Sequence, residues 1–237
     1  MKSGKKLDVS RETLANSLTG VASSLILSIM RFEEALKTAL HDYRDSLDDR
    51  ALQRLATHWS MVERWGERLN LTAIRDPERA AWVHYRDSIE PLRVTRNGPW
   101  ADMGSGAGFP GLPMAILHPE ISVTLIEPRR KRASFLKTVV AELELPHVRV
   151  LESRSNEPAP SLFGAVVTRA TFSNAADLKQ LLEWCEPGGQ VIALRSEPTG
   201  ALGSRVYSYD VLHERRIMEV WVRPTLAAGR GLPNPRS

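Results

Sequence analysis

The chain has 237 residues, 42% of them apolar and 25% charged, with a net charge of +4. These values suit one globular domain, or one domain with an extension, large enough to bury a sizeable core. No apolar run reaches the roughly 18 uncharged residues of a membrane-spanning helix. Cys185 is the only cysteine, which excludes an intramolecular disulfide and a cysteine-based zinc cluster and suits a reducing cytoplasm. The basic residues cluster at Arg129-Arg130-Lys131-Arg132 with Lys137, and toward the end of the chain at Arg215, Arg216, Arg223, Arg230 and Arg236.

Lys2, Lys5, Lys6 and Arg11 precede a mildly apolar stretch from Val21 to Met30. Ser23, Ser24 and Ser28 interrupt it and no small-residue cleavage site follows, so it reads as a frayed tail leading into a helix rather than a secretion signal. From Ile29 to Trp65 the pattern is helical, with Leu52, Leu55, Trp59 and Val62 on one face, Ser46 as a candidate cap and Gly66 as the end. A further helix is predicted from Pro77 through His84 to Ile89, and Asn97-Gly98-Pro99 is a break.

After that break, short apolar runs alternate with helical patterns. Strands are predicted at Trp100–Met103, Val123–Ile126, Val148–Leu151, Ala165–Thr168 and Val191–Leu194, with helices at Arg130–Leu143 and Asn174–Cys185. Val206–Tyr209 and Ile217–Val222 read as a closing antiparallel pair. The order predicts an α/β fold: a mostly parallel, Rossmann-like sheet of seven strands with helices on both faces. The expected organisation is a flexible or partly helical tail (1–30), an N-terminal helical extension (31–96) and a ligand-binding domain (97–237).

The turn Asp102-Met103-Gly104-Ser105-Gly106-Ala107-Gly108 follows a predicted strand, and the next strand ends at Glu127. This is the layout of a nucleotide-type site: glycines allow close backbone approach, and the acid accepts both ribose hydroxyls. The turn runs at once into Phe109-Pro110-Gly111-Leu112-Pro113, so no helix N-terminus is free to face a pyrophosphate. Asp102, just before the first glycine, suits the ammonium group of a methionine moiety. Together they favour S-adenosylmethionine over a nicotinamide dinucleotide, and a class I methyltransferase.

Adenine-amino methylation is not supported, because the fourth strand continues into Thr168-Arg169-Ala170-Thr171-Phe172 instead of an Asp/Asn-Pro-Pro-aromatic motif. Pyrimidine C5 methylation needs a cysteine nucleophile, and Cys185 falls on an apolar helical stripe. His84 and Asp87 are three apart on a helix and read as a buried or substrate-facing pair rather than metal ligands.

The stretch Gly104–Pro113, GSGAGFPGLP, resembles the signature of the RsmG (GidB) family of bacterial 16S ribosomal RNA guanine-N7 methyltransferases. Leu69–Pro77 resembles its N-L-T-x-x-R-D-P segment, His84-x-x-Asp87-Ser88 its H-x-x-D-S helix, Lys131-Arg132-x-x-Phe135-Leu136 its K-R-x-x-F-L helix and Thr168-Arg169-Ala170 its S-R-A segment. The resemblance implies that Gly104, Phe109, Glu127, Ser155, Asn156 and Arg169 hold S-adenosylmethionine, and the reading of the turn adds Asp102, Gly106 and Gly108. Lys131, Arg132, Arg169, Arg195, His84 and Asp87 are then expected on the RNA side. It departs from the family at Gly66-Glu67, Val83, Asn156 and Arg195-Ser196. The expected partner is 16S ribosomal RNA or the small subunit, with a monomeric protein that contacts neither DNA nor membrane. Guanine N7 carries a lone pair, so no proton-transfer residue is assigned. A methyltransferase acting on a small molecule or protein, and a non-catalytic RNA-binding relative, are the alternatives.

Overall fold

The computed structural model describes residues 26–43, 45–95 and 98–225. Most of the segment read as a tail, Asn97, and the terminal arginines Arg230 and Arg236 lie outside the described residues. Among the described residues no helix is long and apolar enough to cross a membrane.

The helical stretch read from Ile29 to Trp65 is two helices. Helix α1, described over residues 26–39, buries Phe32, Leu36 and Ala39 along one stripe, which Leu40 continues. Helix α2 is Asp49–Leu69. Its cap is Asp48, whose carboxylate accepts from the Ala51 amide at 2.7 Å, and not Ser46. Asp48 stands three residues ahead of that free N–H, and Ser46 is too far back to reach the first turn. Gly66 stays inside α2. The helix ends at Asn70, which adopts φ 50° and turns its N–H back to the Gly66 carbonyl.

Helix α3 is irregular: an α-helical start Pro77–Ala80 capped by Asp76, a π-helical turn Ala81–Arg86, an α turn Asp87–Ile89 and a 3-10 end Glu90–Arg93. Its buried acid Glu90 pairs with Arg86 and Arg93, and both arginines also reach Asp42, tying α3 to the link between α1 and α2.

Then follow β1 (Trp100–Met103), α4 (Gly111–Leu117), β2 (Val123–Ile126), α5 (Arg130–Glu142), β3 (Val148–Leu151) and β4 (Phe163–Arg169). Helix α6 is Ala175–Gln180 with a 3-10 end Leu181–Trp184. The strands β5 (Cys185–Arg195), β6 (Arg205–Val211) and β7 (Glu214–Val222) complete the fold. Cys185 therefore opens a strand instead of closing a helix. Pro187-Gly188-Gly189 falls within β5, beside the register shift opposite Phe163 and Ala165, so β5 begins earlier than its apolar run suggests.

The seven strands lie in the order β3-β2-β1-β4-β5-β7-β6. The first five are parallel, and β7 runs antiparallel between β5 and β6. Helices cover both faces unequally. Helices α1 to α5 share one core with Trp100, Leu125, Val167 and Ile192. On the other face α6 brings Leu178, Leu181 and Trp184 against Ala101, Met103, Val166 and Val191. Chain order reverses between β1 and β4, so their carboxyl ends open a crevice, the place where such sheets bind ligands.

Phe32 joins the N-terminal helices to this core. It is fully buried, stacks on Trp59 at 5.7 Å and meets Tyr85 edge-on at 4.9 Å. Phe32→Ala is expected to cost about 3–5 kcal/mol, read as a lower urea midpoint. An unchanged midpoint would show α1 to be peripheral.

Candidate functional site

The Gly-rich turn is held from below. The Gly104 and Ser105 amides donate to the Ile126 carbonyl at 2.9 and 3.1 Å. Asp102 points under the turn, where its Oδ2 accepts from the Gly111 amide at 3.0 Å. A Cβ on Gly111 would run into that carboxylate, and a Cβ on Gly104, whose φ is +81°, would strike Thr171. Asp102 Oδ1 is buried with no partner. Burial pushes the Asp102 carboxyl up to about 7, against the pull of the Gly111 amide.

His58, on α2, grips the far side of the turn. Its Nε2 lies 2.8 Å from the Ala107 carbonyl and its Nδ1 3.0 Å from the Tyr85 hydroxyl. A carbonyl only accepts, so Nε2 carries the proton and Tyr85 donates to Nδ1. Burial pushes His58 down to about 4, which keeps the ring neutral.

Above the turn lies a cavity of about 360 Å³ lined by Gly104, Pro128, Ser153, Ser155, Asn156 and Phe172. Glu127 borders it: Oε2 accepts from the Gly106 amide and Oε1 from the Arg129 amide, each at 2.9 Å. Each oxygen keeps a further lone pair. Over Gly106 the space is open, with only the Gly104 carbonyl and the Arg132 guanidinium 3.9 and 4.0 Å from where a Cβ would stand. Glu157 folds back onto the Ser153 hydroxyl at 2.6 Å and the Arg154 amide at 3.3 Å, shaping the turn that carries Ser155 and Asn156.

A second cavity, of about 370 Å³, shares Thr171 and Phe172 with the first and is also lined by Asp87, Arg169, Arg195 and Arg216. Arg169 Nη1 donates to Asp87 Oδ2 at 3.1 Å and to the Val83 and His84 carbonyls at 3.3 and 3.4 Å. Its guanidinium sits 5.2 Å from the Phe109 ring centre, and His84 stacks on Phe109 at 4.7 Å. Asp87 is buried, and its other oxygen accepts from the Tyr209 hydroxyl of β6 at 2.7 Å. His84 meets the Thr72 hydroxyl at 2.7 Å. Burial first, then the charge of Arg169, pushes it down to about 3.

Of the residues expected around the cofactor, Gly104, Ser155 and Asn156 line the first cavity and Glu127 closes its edge. Gly108 and Phe109 do not line it: a Cβ on Gly108 would meet Leu112 and His58, and the Phe109 ring packs among His58, His84 and Tyr85. On the RNA side, Asp87, Arg169 and Arg195 line the second cavity and His84 stands behind it. Arg195 spends its donors on the Phe172, Ser173 and Glu197 carbonyls, so it braces the cavity wall. Lys131 and Arg132 lie elsewhere, and Arg132 is bonded to the Leu69 and Asn70 carbonyls.

Sequence reasoning missed His58, Thr171, Phe172, Tyr209 and Arg216. Tyr209 and Asp87 are 122 residues apart and carry no local signal for each other. Cys185 is buried, its thiol directed at the Leu181 and Gln190 carbonyls and pushed by burial up to about 12, so it is no nucleophile. Among the described residues no group of three His, Cys, Asp or Glu could hold a metal ion.

A family profile described as rRNA small subunit methyltransferase G matches residues 51–201. The chain belongs to this family. The Ribosomal RNA small subunit methyltransferase G of Alkalilimnicola ehrlichii is 31% identical over 206 residues, 82% of this chain and 94% of that protein. The one from Halorhodospira halophila is 38% identical over 162 residues, 68% of this chain and 78% of that protein. The fold also resembles the crystal structure of the S-adenosylmethionine-dependent methyltransferase SibL in its apo form, with a TM-score of 0.53 and 17% identity over 81% of this chain and 76% of that one. The family match ends before β6 and β7, so Tyr209 and Arg216 come from outside it.

The two buried histidines give a pH signature. The unfolded chain takes up protons at His58 and His84 near pH 6.5, and the folded chain does so only near 4 and 3. Stability is therefore present above pH 6.5 and lost as pH falls below it. Asp102 has the opposite sign, since its raised carboxyl favours the folded state as pH falls through 7, but it offsets only one of the two protons. Melting temperature should drop between pH 6.5 and 4, and His58→Gln should flatten that slope. An equal slope in the variant would reject the assignment.

Proposed function

We propose that this chain transfers the methyl group of S-adenosylmethionine to N7 of a guanosine in small-subunit (16S) ribosomal RNA. The observation that carries the reading is the abutment of two cavities across Thr171 and Phe172 in a chain of this family: one lined by Gly104 and by Pro128, next in the chain to the acid Glu127, the other lined by arginines.

The first cavity fits the cofactor by its chemistry. Glu127 retains lone pairs for two ribose hydroxyls, Ser155 and Asn156 stand where an adenine edge is recognised, and Gly104 and Gly106 leave the backbone bare. Asp102 Oδ1 is a buried acceptor without a donor beneath the turn, suited to a nearby ammonium group. When bound, S-adenosylmethionine supplies an electrophilic methyl group on a sulfonium. Arg169 and Arg216 offer cationic contacts to the incoming base or its phosphates. The second cavity offers no free base: Asp87 is held between Arg169 and Tyr209, and His84 is neutral and packed on Phe109. A nucleophile that keeps its own lone pair, as guanine N7 does, needs none. The residues act by alignment and exclusion of water, which suits an in-line displacement.

Residues 31–96 would then serve as a helical extension that braces the site, and 97–237 as the methyltransferase domain. The protein would act as a monomer in the cytoplasm, without DNA or membrane partners.

Labelled methyl should enter naked small-subunit RNA or assembled subunits and be released by cleavage specific for N7-methylguanosine. Arg169→Ala should lower that turnover about 100-fold, in keeping with misplacement of a reacting base. Label entering only protein or small molecules would replace this reading, and calorimetry without detectable cofactor binding would favour a non-catalytic relative.

A cationic cofactor is expected to expel the Asp102 proton. Cofactor affinity should rise about tenfold per pH unit below about 7 and level off above it. Asp102→Asn should remove that dependence, and a wild-type affinity flat from pH 5 to 8 would reject it.

A further inference from the structure

A third cavity, of about 500 Å³, opens between the end of α2 and the start of α5. Leu69 and Phe135 are its apolar lining, Trp65 stands at its wall, and Arg130, Lys131 and Ser134 complete it. Trp65 is 37% exposed, whereas Trp59, Trp100, Trp184 and Trp221 are buried and Trp82 is half-buried. An indole held open to solvent beside a groove is unlike this chain's other tryptophans.

The surroundings are cationic. Arg64 and Arg68 flank Trp65 on α2, and Arg129, Arg130, Lys131 and Lys137 lie at or near the start of α5. All six are exposed, and among the described residues none forms an ion pair. Nearby acids are engaged elsewhere: Glu67 pairs with Arg75, and Glu63 accepts from Ser28. An apolar slot with a flat aromatic wall, rimmed by uncompensated cations, matches a nucleobase with its flanking phosphates. The slot also adjoins the Gly-rich turn. Arg132 is bonded to the Leu69 and Asn70 carbonyls, and its guanidinium is 4.0 Å from the open space over Gly106.

The geometry points to a second RNA contact: an unpaired base of the substrate strand stacks on Trp65, with its neighbouring phosphates on Arg130 and Lys131. This rests on the RNA reading above. The arginine-lined cavity and this groove share no lining residue, so the strand would be held at two separate places.

The test uses the full chain with a single-stranded RNA oligonucleotide and a blunt duplex of the same length, read by anisotropy and tryptophan fluorescence. Cofactor affinity serves as the folding control. Trp65→Ala should weaken single-strand binding about 10-fold, the scale of one stacked base, and leave duplex and cofactor binding unchanged. Trp65→Phe should retain most of the affinity but lose the RNA-induced quenching seen in wild type. The double variant Arg130→Gln, Lys131→Gln should reduce the salt dependence of binding by about one to two phosphate contacts.

Unchanged single-strand affinity in Trp65→Ala, or equal quenching in Trp65→Phe, overturns the groove assignment while wild-type methylation of ribosomal RNA keeps the functional reading intact. A change of oligomeric mass in Trp65→Ala overturns it in favour of a contact between copies. A wild-type chain that neither binds single-stranded RNA nor methylates ribosomal RNA overturns both.

Discussion

The site depends on one buried carboxylate. Asp102 leaves β1 pointing under the Gly-rich turn and takes the amide of Gly111, the first residue of α4. That bond sets how the chain leaves the sheet, climbs through the turn and returns to a helix packed on the same strand. A Cβ at position 111 would fall 2.5–2.8 Å from the Leu125 and Asp102 side chains, so glycine lets the amide come this close to the carboxylate. Because the turn is satisfied from beneath and by Glu127 at its rim, its upper surface is free of internal obligations. A carboxylate that is fully buried with one oxygen unpartnered is costly, and its raised pKa expresses that cost.

The helical extension works as part of the site rather than as an appendage. His58 of α2 fixes the Ala107 carbonyl, and Tyr85 of α3 fixes His58. Asp87 of α3 then joins Arg169 of β4 to Tyr209 of β6. The π-helical turn before Asp87 widens α3 by one residue per turn, and such turns are frequent at functional sites. Phe109 lies at the meeting point, between the His84 ring and the Arg169 guanidinium. The GFPGLP stretch thus supplies a packing hub on its lower side and a bare backbone on its upper side.

The departures from the family pattern have local explanations. Arg195 closes three carbonyls of its own neighbourhood and faces the buried Glu219 at 3.9 Å. The planar guanidinium spreads its donors over three nitrogens, and each of them meets one of these carbonyls. Beside Asn156, Glu157 supplies a carboxylate that orders the turn through Ser153 and Arg154. Gly66 sits inside α2, where a Cβ would meet the Arg75 guanidinium at 3.0 Å.

Local pattern was enough for the strands that enter the turn, for the acid at the end of β2 and for the alternation that dictates a parallel sheet, because periodicity and glycine chemistry act over a few residues. The break between α1 and α2 was not legible, since both carry the same kind of apolar stripe, and the cap falls to Asp48 only once the helix is known to start at Asp49. Nor was the early start of β5, whose first residues pair with β4 across a bulge. Arg169 and Glu127 could be named from the chain alone, but their partners could not. Asp87 and Tyr209 meet across 122 residues, and the groove beside Trp65 exists only because α2 and α5 lie side by side. The sequence by itself determined the fold class and the Gly-rich turn with its acid. Tertiary structure alone decided which charges are paired and buried and which are left free to meet a substrate, because that depends on the distances between elements far apart in the chain.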